Sequence, residues 1–143
     1  PRDVEGRVWH RSGDVGHLDD AGRLWIEGRS VHVVHTDRGA ITPVPVEVAV
    51  ESLDSVERAA AVGIGPDGCQ QLVVVIEGSG TAGLAGDSVT AAVRRTVTWV
   101  PVAAVLTVTS LPVDIRHNTK IDRTAVAEWA ARVLSGQTAR VPW

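Results

Sequence analysis

The apolar positions of this chain change period several times along its 143 residues, and each change marks an element. Arg58 to Ile64 and Gln70 to Glu77 are dense runs of Ala, Val, Leu and Ile around Gly65-Pro66-Asp67-Gly68. That pattern predicts two strands of a buried sheet joined by a turn. Val102 to Thr109 alternates, which predicts a third strand, ended at Leu111-Pro112. Between and around these runs the period lengthens. Val46, Ala49, Val50 and Leu53 share a helical face behind Thr42-Pro43, an N-cap followed by a first-turn proline, so a helix is expected over 43–53. Val89, Ala92, Val93 and Val97 share another face, after the glycine-rich stretch 78–86 read as a loop, with Asp87 or Ser88 as cap and Pro101 as the stop. The last helix has Asp122 as N-cap, Ile121 and Val126 as a staple, and Val126, Trp129, Ala130 and Val133 as its buried stripe.

Ahead of these elements the pattern is extended. A short strand is expected at 7–9, then a hairpin over 17–25 with an Asp-Asp-Ala-Gly turn, a break at Gly28-Arg29, and a second small hairpin from Val31 to Thr42 around Asp37-Arg38-Gly39. The whole is an α+β domain: a three-stranded central sheet, about three helices and a two-stranded hairpin, preceded by a terminal hairpin. No internal repeat is visible.

Composition adds little to the fold and narrows the function. Hydrophobic residues make up 44%, with five Trp and no Phe, Tyr or Met, so the core rests on small branched side chains and a few anchors, Trp25 and Trp129 among them. The net charge of −3, without a basic stripe, speaks against nucleic acid as a partner. Cys69 alone cannot form an internal disulfide, and neither a leader nor an apolar run of membrane-spanning length is seen, so a cytoplasmic, non-membrane protein is expected. The chain opens on Pro1 inside a strand-like segment and reads as a fragment.

Two polar segments exceed what the core requires: 9–16, around Asp14, and 112–123, around Lys120. Asp14 has glycines on both sides, and its carboxylate can accept two hydrogen bonds from a sugar diol. Lys120 precedes a helix N-terminus, where the backbone favours anions. Taken singly, these are a turn residue and a solvated lysine. His32 and His35 fall three apart on an expected strand, which sends them to opposite faces, so no metal site is expected. His117 can serve as an acid or base, or can hold its loop together. Glu47 reads as structural, favoured by the helix dipole.

Taken together, Trp9 to Gly16, Gly22-Arg23-Leu24-Trp25-Ile26-Glu27-Gly28-Arg29 and Pro112 to Arg123 resemble, in order and over essentially the whole chain, the closing motifs of the adenylate-forming superfamily of acyl-CoA synthetases, peptide-synthetase adenylation domains and luciferases. The resemblance implies that residues 1–29 end a large N-terminal adenylation domain and that 30–143 form its mobile C-terminal domain. It implies that Asp14 binds the ribose hydroxyls of ATP and that Arg29 contacts ribose or phosphate beside the interdomain hinge. Lys120 would reach the substrate carboxylate and the α-phosphate, where an ammonium offsets the repulsion of two anions brought together. ATP and Mg2+ are the implied cofactors, held mainly by the N-terminal domain.

Three positions depart from the thioester-forming pattern: Val31 at the hinge, His35 where a lysine is common, and Pro45 where a glutamate is common. The string Arg116-His117-Asn118-Thr119-Lys120-Ile121, with Val33-Val34-His35-Thr36, is instead similar to the olefin-biosynthesis β-lactone synthetases. That implies conversion of a 2-alkyl-3-hydroxy fatty acid to a β-lactone, with release of AMP and pyrophosphate. Lys120 and His117 are then the catalytic candidates, and Asp14, Arg29, Arg116 and Asn118 the nucleotide-binding ones. The implied partners are a long-chain 3-hydroxy fatty acid or other acyl carboxylate, the N-terminal domain of the same enzyme, and other olefin-biosynthesis proteins. An acyl-CoA or acyl-AMP ligase is the alternative in the same superfamily. The isolated chain is expected to be inactive, serving at most as a binding or regulatory module.

Overall fold

The apolar runs at 59–62 and 72–76 are unbroken because helices cover both faces of their sheet, so inward alternation has no polar side to alternate with. The computed structural model describes residues 3–113, 120–137 and 140–143. Its elements are β1 (Asp14–Leu18), β2 (Leu24–Arg29), a 3-10 turn (Ser30–His32), β3 (Val34–Thr36), β4 (Gly39–Ile41), α1 (Pro43–Glu51), β5 (Arg58–Ile64), β6 (Gln71–Glu77), β7 (Gly83–Leu84), α2 (Asp87–Thr96), β8 (Val102–Val108) and α3 (Arg123–Leu134). β1 pairs with β2, β3 pairs with β4, and the main sheet has the order β5-β6-β8-β7. Within it β6 and β8 are parallel, which requires the crossover that α2 supplies, and the other pairings are antiparallel.

Odd and even positions of the central strands go to different layers. Ala59, Ala61, Leu72, Val74 and Ile76 meet Val46 and Val50 of α1 and Val93 of α2. Ala60, Val62, Val73 and Val75 meet Val126, Trp129 and Ala130 of α3. The strand β5 lies at the sheet edge, and two of its outward N–H groups are taken up by α1. Ala61 N donates to Glu47 Oε1 and Ala59 N to Glu51 Oε1, each at 2.9 Å. Two glutamates one helical turn apart on α1 thus close an edge that would otherwise invite strand pairing.

The α+β class and the three helices match the sequence reading, with differences of detail. The glycine-rich stretch contributes a fourth, two-residue strand, β7, held by Ala85 N to Val105 O and by the Thr107 hydroxyl on Thr81 O. The N-cap of α2 is Gly86, without a side-chain cap, and Asp87 sits in the first turn, where its charge suits the helix dipole. The helix α1 ends at Glu51. Trp129 is fully buried, as expected of a core anchor; Trp25 is 51% exposed. Trp25 stays on the surface because its indole N–H donates to Asp19 Oδ2 at 2.9 Å and the Arg23 guanidinium lies over its ring.

That arrangement occurs twice. Asp3-Val4-Glu5-Gly6-Arg7-Val8-Trp9 and Asp19-Asp20-Ala21-Gly22-Arg23-Leu24-Trp25 share the pattern Asp-x-x-Gly-Arg-x-Trp. In both, the aspartate accepts from the arginine backbone N–H, the arginine Nε and the tryptophan indole, with the arginine over the ring. A short internal repeat is therefore present where none was expected; polar spacing carries it, not an apolar period.

Candidate functional site

Two of the candidate residues, Asp14 and Arg29, meet in the first hairpin. Asp14 and Arg29 open and close the β1–β2 pair in direct register, and Arg29 donates to Asp14 Oδ1 at 3.1 Å. Hydrogen bonding from Ser12 holds the Asp14 carboxyl below the usual carboxylate range, with Arg29 and the charge of Lys120 acting in the same direction. Lys120 is exposed, and it stands 91 positions from Arg29 in the chain. The flanking glycines serve the backbone more than a ligand. A Cβ at Gly16 would stand 2.3 Å from Trp25 O, at the irregular pairing between Val15 and Gly16.

The foot of the Lys120 segment is held from several sides. Val113 and Ile121 form an antiparallel bridge, and Asp122 N donates to Pro112 O at 2.9 Å. The Asp122 carboxylate accepts from Thr124 N and Ala125 N, as its predicted capping role requires. Arg123, the first residue of α3, makes a two-point contact with Glu47: Nε to Oε1 at 2.8 Å and a terminal nitrogen to Oε2 at 2.5 Å. The pair is largely shielded from water. Glu47 is therefore structural, but its partners are α3 and the edge strand rather than the dipole of its own helix.

Two residues named in the sequence, Glu27 and His32, have surroundings that it did not suggest. Glu27 of β2 lies 2.7 Å from His17 Nδ1 and accepts from the Thr42 hydroxyl at 2.9 Å. Thr42 occupies the N-cap position of α1 as expected, yet its hydroxyl ties the helix to the hairpin instead of capping it. His32 stands in the 3-10 turn rather than on a strand, half-buried, and its Nδ1 is enclosed without a hydrogen-bond partner among the described residues. Burial first, and then the Arg123 charge, lower its pKa. It lines a cavity of about 190 Å³ together with Gly63, Gln70, Arg123, Thr124 and Ala127. No group of three or more metal-ligating side chains is assembled among the described residues. Arg116, His117 and Asn118 lie outside the described residues. No helix among those described is long and apolar enough to cross a membrane.

No family model matches the chain. Over 135 residues it is 42% identical to an olefin β-lactone synthetase of Xanthomonas campestris pv. campestris, an alignment covering 91% of this chain and 24% of the relative. A second olefin β-lactone synthetase, from Stenotrophomonas maltophilia, is 36% identical over 135 residues, 92% of this chain and 24% of the relative. The chain thus spans about a quarter of the length of the curated relatives it matches. Its fold is also that of the corresponding part of ATP-bound MatB from Rhodopseudomonas palustris, with a TM-score of 0.68 at 17% identity over 91% of this chain and 25% of that one.

Proposed function

Because this chain belongs with the C-terminal part of the adenylate-forming enzymes, we propose that the protein carrying it is an ATP-dependent acid-activating ligase that makes a β-lactone from a 2-alkyl-3-hydroxy fatty acid. The 42% identity with an olefin β-lactone synthetase over nine-tenths of the chain carries the reading. In the proposed reaction a substrate carboxylate oxygen attacks the α-phosphorus of ATP, the bond to pyrophosphate breaks, and an acyl-adenylate forms. The substrate's own 3-hydroxyl oxygen then attacks the acyl carbon, its proton leaves to a base, and the bond to AMP breaks as the four-membered ring closes. Lys120 supplies a positive charge where two anions meet, and Asp14 and Arg29 provide an acceptor and a donor for ribose and phosphate. Arg116, His117 and Asn118, which lie outside the described residues, complete the proposed site from the sequence side. Residues 1–29 close the nucleotide-binding domain, and 30–143 are the mobile C-terminal domain that brings Lys120 to it. Mg2+ would enter with the nucleotide phosphates and be held mainly by the N-terminal domain.

The test is incubation of the full-length protein with ATP and a 2-alkyl-3-hydroxy fatty acid, without CoA. A β-lactone with equimolar AMP and pyrophosphate, read by mass spectrometry, is expected. A product that forms only with CoA, or an adenylate that accumulates, would make it an acyl-CoA or acyl-AMP ligase and overturn lactone formation.

A further inference from the structure

We propose that Glu47 is a positioning residue for Lys120 and that, when residues 30–143 are docked on the hairpin as in this structure, helix α1 is the spacer that sets the lysine against the Asp14–Arg29 half of the site. The inference rests on the acid-activating role of Lys120 given above, and its geometry comes from contacts that run without interruption from one half to the other. Asp14 is held by Arg29 at the end of β2. Two residues earlier on that strand, Glu27 accepts the Thr42 hydroxyl at the N-cap of α1. Five residues into the helix, Glu47 holds Arg123 through two hydrogen bonds, and Arg123 lies three residues beyond Lys120. The close approach of β2 to α1 is built in: Gly28 has φ +135°, and a Cβ there would stand 2.9 Å from Pro43 Cγ.

The local bonds at the foot of the lysine, Ile121 to Val113 and Asp122 to Pro112, fix its segment only to the neighbouring chain. Among the described contacts, the Glu47–Arg123 pair is the side-chain link from that foot to α1, and so to the hairpin. A pair enclosed this far contributes little to net stability, since desolvating both charges offsets much of their attraction, but it enforces one geometry. The planar guanidinium on a carboxylate fixes direction as well as distance, which a lysine at 123 could not do. Glu51 supplies an internal control. It occupies the same face of α1 one turn on and closes the same edge strand through Ala59 N, and no described hydrogen bond or ion pair joins it to α3. A glutamate that only sealed the strand edge would behave alike at both positions.

The experiment compares Glu47→Gln, Glu51→Gln and Arg123→Lys in the full-length protein, reading ATP–pyrophosphate exchange driven by a 3-hydroxy fatty acid. Each rate is taken well below the melting point and scaled to the folded fraction. For Glu47→Gln we expect kcat to fall about ten-fold or more, with KM for ATP within about three-fold, because a reacting group displaced by a fraction of an ångström loses rate before it loses binding. Arg123→Lys should recover part of the loss at most, and Glu51→Gln should keep kcat within about two-fold. Equal kcat losses in the two glutamine variants, or a loss that vanishes once the rate is scaled to the folded fraction, would overturn the proposal. Amide hydrogen exchange at Ile121 and Asp122 gives the second readout: faster in Glu47→Gln and unchanged in Glu51→Gln is expected, and no difference between them counts against the clamp. If the unsubstituted protein shows no exchange activity, acid activation fails, while hydrogen exchange still decides the clamp.

Discussion

The hairpin β1–β2 and the layered body solve the problem of stability differently. In the hairpin, Leu18, Leu24, Trp25 and Ile26 are all more than half exposed, and the order comes from directed polar bonds: Asp19 to Arg23 and Trp25, Glu27 to Thr42, Asp14 to Arg29. In the body, Trp129, Leu72 and Leu106 are sealed between the sheet and its helices. Apolar burial is undirected and large, whereas a hydrogen bond is directed and contributes only about 0.5–1.5 kcal/mol net. The body can thus supply the stability while the seam supplies the geometry, and the candidate site lies along the seam. The sharpest way to break the body is Trp129→Ala. It empties the centre of the α3 layer and should cost about 3–5 kcal/mol, seen as a lower urea midpoint with cooperative loss of the whole domain.

Lys120→Ala should do the reverse. The side chain is exposed, so stability should stay within about 0.5 kcal/mol. In the full-length protein the rate of acid activation should fall about 100-fold or more, the scale of removing one preorganised charge from a developing anion. A variant that unfolds, or that keeps its rate, would place Lys120 in the wrong half of the comparison.

The body was legible in the sequence and the seam was not, for a physical reason. Periodicity reports burial, so Arg58 to Ile64, Gln71 to Glu77 and the α3 stripe were found almost to the residue. Side-chain hydrogen bonds leave no period. Thr42 looked like a cap because Thr before Pro is one, and nothing local says that its hydroxyl turns to a residue fifteen positions earlier. Trp25 looked like an anchor because it is large and apolar, and only the Asp-x-x-Gly-Arg-x-Trp spacing, seen twice, shows that its indole is occupied on the surface. Asp14, Arg29 and Lys120 were named from motif resemblance, and the contact between Asp14 and Arg29 came only with the fold. Glu47 and Glu51, four apart beside an edge strand, were a readable signal that burial patterns pass over.

Weaker tests probe the joints. Thr42→Val keeps the shape and removes the donor to Glu27, so it should cost about 1 kcal/mol and speed amide exchange in β2 more than in β6. His32 tests the joint by pH. Its folded pKa is lowered from 6.5, by burial and then by the Arg123 charge, with Arg29 adding to the effect and Glu47 and Asp122 opposing it. The unfolded chain therefore takes up a proton that the folded one resists. Stability should be unaffected well above pH 6.5 and should fall as pH drops below it, until the folded group also titrates. Urea midpoints at pH 7.5 and pH 5.5 should differ in the native sequence and converge in His32→Gln.

The smallest effect expected is also the most local. The Asp19 carboxyl is held down to about 2, chiefly by the Trp25 indole N–H and the Arg23 backbone N–H. A depressed carboxylate contributes its stability above the unfolded value of 3.8 and loses it as pH falls towards 2. Asp19 and its bonded neighbours lie on the hairpin surface, so its titration should open the turn and leave the body folded. In Asp19→Asn the Trp25 indole N–H should exchange faster at neutral pH while the urea midpoint of the body stays put. Asp3, whose carboxyl is lowered chiefly by Arg7 and then by Trp9, should give the same local response at the Trp9 indole. If either substitution lowered the midpoint of the body as Trp129→Ala does, the hairpin would have to be carrying global stability, and the division of labour between the two regions would fail.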